Sequence, residues 1–133
     1  KLGSRFDVAS AQEMQLVLNL GISPHRIIFA NTIKSTEDIQ TAYKSGVSLM
    51  TFDNEPELYK IAKHAPGTRV LVRIKVANAG SLVELSLKFG CDPEQAVFLL
   101  RKAKALGHGH ELFHADLGLA AALGAGGGLE AAL

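Results

Sequence analysis

The sequence is poor in the features that mark several protein classes. Among its 133 residues there is one cysteine, Cys91, and no tryptophan. A single thiol forms no intramolecular disulfide and supplies no cysteine zinc cage, which favours a reducing compartment. Fourteen basic residues against thirteen acidic ones leave a formal net charge of +1, with the signs interspersed. That excludes the basic stripe of a nucleic-acid binder and a polybasic membrane anchor. No apolar run approaches the roughly eighteen residues of a membrane span. The N-terminus lacks the charged, apolar and small-residue regions of a secretory signal. The expectation is a cytoplasmic protein with one globular domain, since 47% of the residues are hydrophobic and 20% charged.

What the sequence does contain is a rhythm. Four apolar runs, RFDVAS, RIIFAN, VSLMTFD and TRVLVRIKV, each precede a segment of helical periodicity. The first helix opens at Ser10 with Glu13 in capping-box spacing, carries Met14, Val17 and Leu18, and stops at Gly21. The second opens at Ser35, carries Ile39, Ala42 and Tyr43, and stops at Gly46. The third carries Leu58, Ile61 and Ala62. The last begins at Asp92, with proline at the first helical position, and runs through Val97, Leu100 and Ala103 to Gly107. Strands alternating with helices of this length mean a parallel sheet with right-handed crossovers. A closed eight-unit barrel takes about 250 residues. The expected fold is therefore α/β: a partial (β/α)8 barrel of about four strand–helix units, residues 1–107. A divergent tail rich in glycine, alanine and leucine follows, residues 108–133.

Polar residues close the four strands: Asp7, Asn31, Asp53 and Arg73, roughly twenty residues apart. In such folds ligands bind beyond the carboxyl ends of strands, so these four line one rim. Asp53, next to Asn54 at a helix start, reads as a cap. Arg73 is different, because it interrupts LVRIKV, where an unpaired charge is costly. Pairs such as Lys34 with Glu37 and Glu57 with Lys60 read as solvated helix surface, worth tenths of a kcal/mol. Cys91 reads as a small packed residue, and His25 and His64 as surface.

The stretch HGHELFH, His108 to His114, contains an H-E-x-x-H match. Zinc proteases place that pattern on a helix, with both imidazoles on one side and the glutamate polarising water. A third ligand is needed, and only Glu130 follows Asp116. Gly107 and Gly109 also disfavour a helix directly upstream. No metal site is expected beyond adventitious binding by His108, His110 and His114. Seven of the thirteen glycines lie from Gly107 onward, and the Gly126-Gly127-Gly128 run breaks any helix there.

The segments FDVASAQEMQLVLNLGISPHRIIFAN, MTFDNEPELYKIAKHAPGTRVLVRI and LSLKFG closely resemble those of eukaryotic-type ornithine decarboxylases. The wider family holds lysine, arginine and diaminopimelate decarboxylases and the inactive antizyme inhibitors. The resemblance covers about residues 2–107. It implies an alanine-racemase-like barrel carrying pyridoxal 5′-phosphate, a second β-domain, and a homodimer with active sites at its interface. By the same resemblance Asp7 in FDVAS matches an aspartate near the cofactor's lysine linkage, and Glu13 the second acid that supports it. Arg73 in LVRI matches an arginine near the hydroxyl of the pyridoxal ring. Lys88 in LKFG matches a lysine that faces the partner subunit. His114, in ELFH, echoes a phenylalanine–histidine pair whose imidazole stacks on the cofactor, although the approach is shortened and no apolar strand is evident before it. The expected cofactor-binding set is Asp7, Glu13, Arg73 and His114, with none of the 133 residues expected to be catalytic.

The family's cofactor-linking lysine lies upstream of the first residue here, and Lys1 is not in its context. Two expectations follow. The first is part of a pyridoxal-phosphate-dependent ornithine decarboxylase, inactive as these residues alone, with a basic amino acid as the substrate of the whole enzyme. The second is a non-enzymatic, antizyme-inhibitor-like interaction protein. The region from Thr36 to Tyr59 matches one that contributes to antizyme binding in the family.

Overall fold

The computed structural model describes residues 4–75 and 89–114. Five parallel strands form one sheet in the order β1-β2-β3-β4-β5: β1 Phe6–Val8, β2 Ile27–Phe29, β3 Leu49–Phe52, β4 Arg69–Ile74 and β5 His110–His114. Helices α1 (Ala11–Asn19), α2 (Thr36–Lys44), α3 (Glu55–His64) and α4 (Pro93–Ala105) connect them. The expected α/β half-barrel is the observed one.

Local chemistry explains the boundaries. The Ser10 hydroxyl accepts from the Glu13 N–H at 3.2 Å and the Ser35 hydroxyl from the Asp38 N–H at 3.0 Å. Each satisfies a donor that the first turn leaves free. Glu13 reaches back past the cap and accepts from the Ala9 N–H at 2.7 Å. At α4 the Gln95 side chain accepts from the Asp92 N–H at 3.2 Å. Helices α1 and α2 end where Gly21 and Gly46 turn into the left-handed region, with φ of 78° and 83°.

The sheet buries both faces, as apolar parallel strands do. Val8, Phe29, Met50, Phe52, Val70 and Val72 face the helices and pack with Met14, Ile39, Leu58, Ile61 and Leu100. Burying a side chain of this size contributes about 1.5–3 kcal/mol. A smaller cluster, Ile28, Leu49 and Leu71 with Ala30 against it, lies on the opposite, inner face. Cys91 is packed in the helix-side core, as expected.

Two expectations are corrected. The sheet does not stop at the Gly107 boundary, because His110–His114 pairs with β4 from Val70↔His110 to Ile74↔His114. The Phe113-His114 pair therefore does close a strand. HELFH is a strand, at a place where the flanking glycines already disfavoured a helix: four residues along a strand span about 13 Å, whereas i and i+4 on a helix lie one above the other. Backbone geometry alone thus removes the zinc-protease reading. Lys34 and Glu57, finally, are each 3% exposed and pair with each other at 3.0 Å, not as solvated helix surface. Lys88 and the glycine run from Gly126 lie outside the described residues.

Candidate functional site

In a strand successive side chains alternate between faces, so the registers sort the rim residues. Asp7 pairs with Ile28, Thr51 with Leu71, and Arg73 with Phe113. Asp7, Thr51 and Arg73 consequently share the inner face with the Ile28, Leu49 and Leu71 cluster. Asp7 is exposed and Arg73 half-buried. By the registers Asp7 is level with Ile28, Leu49 and Arg69, so Arg73 stands three strands away and four residues further along β4.

Arg73 is the most informative residue. Its Nε is buried and has no hydrogen-bond partner, and its Cζ lies 5.2 Å from the centroid of the Phe89 ring. A cation within about 6 Å of a ring face is attracted by the ring quadrupole. That contact steadies the guanidinium but does not satisfy Nε, and buried donors in folded proteins are nearly always paired. The Thr51 hydroxyl, two residues from Leu49 on the inner face, is a second buried group without a partner. Together they leave polar hydrogen-bonding capacity facing an apolar floor.

Glu13 and Asn31 shape the rim. Glu13 is exposed and holds the β1–α1 turn through the Ala9 N–H. Asn31 accepts from the Ile33 N–H at 3.4 Å and reaches the Ala9 carbonyl at 3.5 Å, a long contact. His114 takes the register position beside Ile74, one step off the row that carries Arg73. The Asp53 expectation changes. Asn54, not Asp53, caps α3, accepting from the Glu57 N–H at 2.9 Å, while Asp53 accepts from the Gly90 N–H at 2.8 Å.

Periodicity gave no sign of the ion pair beneath the rim. Lys34 Nζ donates to the Asn31 carbonyl at 2.9 Å, to the Thr51 carbonyl at 2.5 Å and to Glu57 at 3.0 Å. It joins the ends of β2 and β3 to α3. Burial pulls the Lys34 ammonium below the usual lysine range, with Glu57 pulling it back. The cue available in the sequence was the position of Lys34 before a helix cap, which does not specify burial. Among the described residues no group of three or more histidine, cysteine or acidic side chains is placed to hold a metal. His108 is buried, with Nδ1 2.7 Å from the Thr68 carbonyl. No described helix is long and apolar enough to cross a membrane.

The described residues form a parallel α/β half-barrel whose inner face leaves the Arg73 Nε unpaired. Comparison with known proteins makes the class specific. The family profile for the pyridoxal-binding domain of pyridoxal-dependent decarboxylases matches residues 1–109, and the chain belongs to that family. It is 45% identical over 106 residues to an ornithine decarboxylase of Schizosaccharomyces pombe, covering 80% of this chain and 24% of that protein. It is 43% identical to antizyme inhibitor 2 of Xenopus laevis, covering 80% and 23%. Among solved structures, a mutant of SrLDC in complex with PLP superposes with a TM-score of 0.80 at 41% identity, over 85% of this chain and 30% of that one. The chain spans about a quarter of the length of the curated relatives it matches.

Proposed function

We propose that these residues form the cofactor-binding half-barrel of a pyridoxal-phosphate-dependent decarboxylase of basic amino acids, with ornithine as the first substrate to test. The observation that carries this reading is the buried, unpartnered Nε of Arg73 on the inner face. It fits pyridoxal phosphate, which presents hydroxyl and phosphate oxygens as acceptors for such a donor. When bound, that cofactor supplies an electron sink for the carbanion left by loss of the α-carboxylate.

The residues of this chain do the holding. Arg73 would hold the cofactor by donating from its unpaired Nε to an oxygen acceptor. Asp7 places a carboxylate on the same face, and Glu13 fixes the turn above it. Ile28, Leu49 and Leu71 form a dry floor on which hydrogen bonds strengthen. His114, at the rim end of β5, is assigned to ring stacking on the family resemblance alone, and His114→Ala tests it. The lysine that the resemblance places upstream of Lys1 is not among these residues, so decarboxylation is assigned to a chain that carries it. Polyamine synthesis in the cytoplasm and a homodimer with Lys88 near the partner belong to the same proposal.

The test is carbon dioxide release from ornithine, lysine and arginine by the full-length chain, with and without pyridoxal phosphate. Cofactor-dependent release, highest with ornithine, is expected. Failure to bind the cofactor would overturn the proposal. A second reading draws support from the likeness to antizyme inhibitor 2. On that reading the full-length chain captures antizyme through residues 36–59 and releases no carbon dioxide. A pull-down alongside the decarboxylation assay separates the two.

A further inference from the structure

Strand β3 ends at Phe52, which pairs with Val72, whereas β4 runs on to Ile74. The place beside the last residues of β4 is taken by residues 89–91. Cys91 forms a parallel bridge with Ile74, donating from its N–H to the Arg73 carbonyl at 2.9 Å, and its carbonyl accepts from the Lys75 N–H at 2.8 Å. The approach is close. Gly90 has φ of 98°, and a Cβ there would stand 2.8 Å from Lys75 N and 2.9 Å from the Ile74 carbonyl carbon. Only glycine fits that conformation and that gap.

Asp53 stands where β3 stops. One carboxylate oxygen accepts from the Gly90 N–H and the other from the Asn54 side-chain amide, both at 2.8 Å. Asn54 carries the α3 cap by itself, so the Asp53 carboxylate is free to hold the returning segment. The residue next to Gly90 is Phe89, whose ring faces the Arg73 guanidinium. An ionised acceptor on a backbone N–H makes one of the stronger hydrogen bonds available.

We propose that Asp53 is a positioning residue: by gripping the Gly90 N–H it sets the Phe89 ring against Arg73 and fixes the direction in which the Arg73 Nε points on the inner face. The chain of contacts is Asp53 to Gly90, Gly90 to Phe89, and Phe89 to Arg73. The positioning stands on these contacts, and only its consequence for cofactor affinity rests on the function proposed above.

The experiment uses the full-length chain with arginine side-chain nitrogens labelled. The Arg73 Nε–H resonance, assigned by its loss in Arg73→Lys, is shifted by the ring current of Phe89. Phe89→Leu and Asp53→Ala are both expected to return it toward the position of an arginine with no aromatic neighbour. In the same variants pyridoxal phosphate binds about tenfold more weakly, the scale of one charge-assisted hydrogen bond. If Asp53→Ala fails to fold, Asp53→Asn is read instead, since an amide has one acceptor oxygen where two are needed. An unmoved resonance in the folded Asp53 variant overturns the proposal, even if its thermal midpoint falls. If the unsubstituted chain binds no pyridoxal phosphate, the cofactor reading fails, and the resonance alone decides the positioning role.

Discussion

On the side that meets the helices, the sheet presents Val8, Phe29, Met50, Phe52, Val70 and Val72, none more than 2% exposed. On the inner side the same strands place three buried apolar residues, Ile28, Leu49 and Leu71, among Asp7, Thr51 and Arg73. The first surface is a continuous apolar cluster, and the Lys34 Nζ that lies 5.9 Å from its Phe29 ring centroid is paired with Glu57. The second keeps polar atoms that nothing in the described residues satisfies. Close packing gains dispersion and hydrophobic energy, whereas a buried unpaired donor costs it. One face is organised for packing, and the other leaves the Arg73 Nε and the Thr51 hydroxyl unpaired among the described residues.

Substitutions should separate the two. The largest effect is expected from Phe29→Ala on the helix face, about 3–5 kcal/mol lost in denaturant unfolding, through a cavity that the layer cannot close. Glu57→Ala should cost a comparable 3–5 kcal/mol, because it strands the buried Lys34 charge. Adding Lys34→Met to that variant should restore much of the loss, and no recovery would mean that packing, not charge, dominates there. On the inner face Arg73→Met should change stability by less than about 1 kcal/mol while weakening pyridoxal phosphate binding at least tenfold. Equal stability losses on both faces would erase the distinction.

The smallest effect is one of pH. Burial pushes the Cys91 thiol from 9.0 up to about 11. The folded state therefore keeps its proton where the unfolded chain loses it. The contribution is complete below pH 9.0 and is lost as pH rises through about 11. Cys91→Ala should flatten that part of the stability profile, and an unchanged slope would place the thiol in contact with water.

Elements with strong periodicity and explicit caps were legible in the sequence. Ser10, Ser35 and Asp92 each mark a helix start, and LVRIKV read as a strand with an anomalous charge that the structure places on the inner face. The fifth strand was not legible, because HELFH offers little apolar alternation and sits between glycines, so its pairing with β4 decides its conformation. Lys34 was misread because local spacing offered Glu37, whereas the partner, Glu57, is twenty-three residues away. Asp53 was misread as the cap for a related reason: which of two adjacent side chains caps a helix depends on what else is within reach, here Gly90.

The strand order is also the order of synthesis, since among the described residues β1 to β5 pair in sequence order, with the Ile74–Cys91 bridge added beside β4. Each new strand closes a loop of some twenty to forty residues onto a template already laid down, which keeps the entropic cost of pairing low. Such a sheet can assemble vectorially as the polypeptide leaves the ribosome, one strand–helix unit docking on the last. At every stage the newest strand is the growing edge, so a pause in translation leaves a partial sheet ready to accept the next unit.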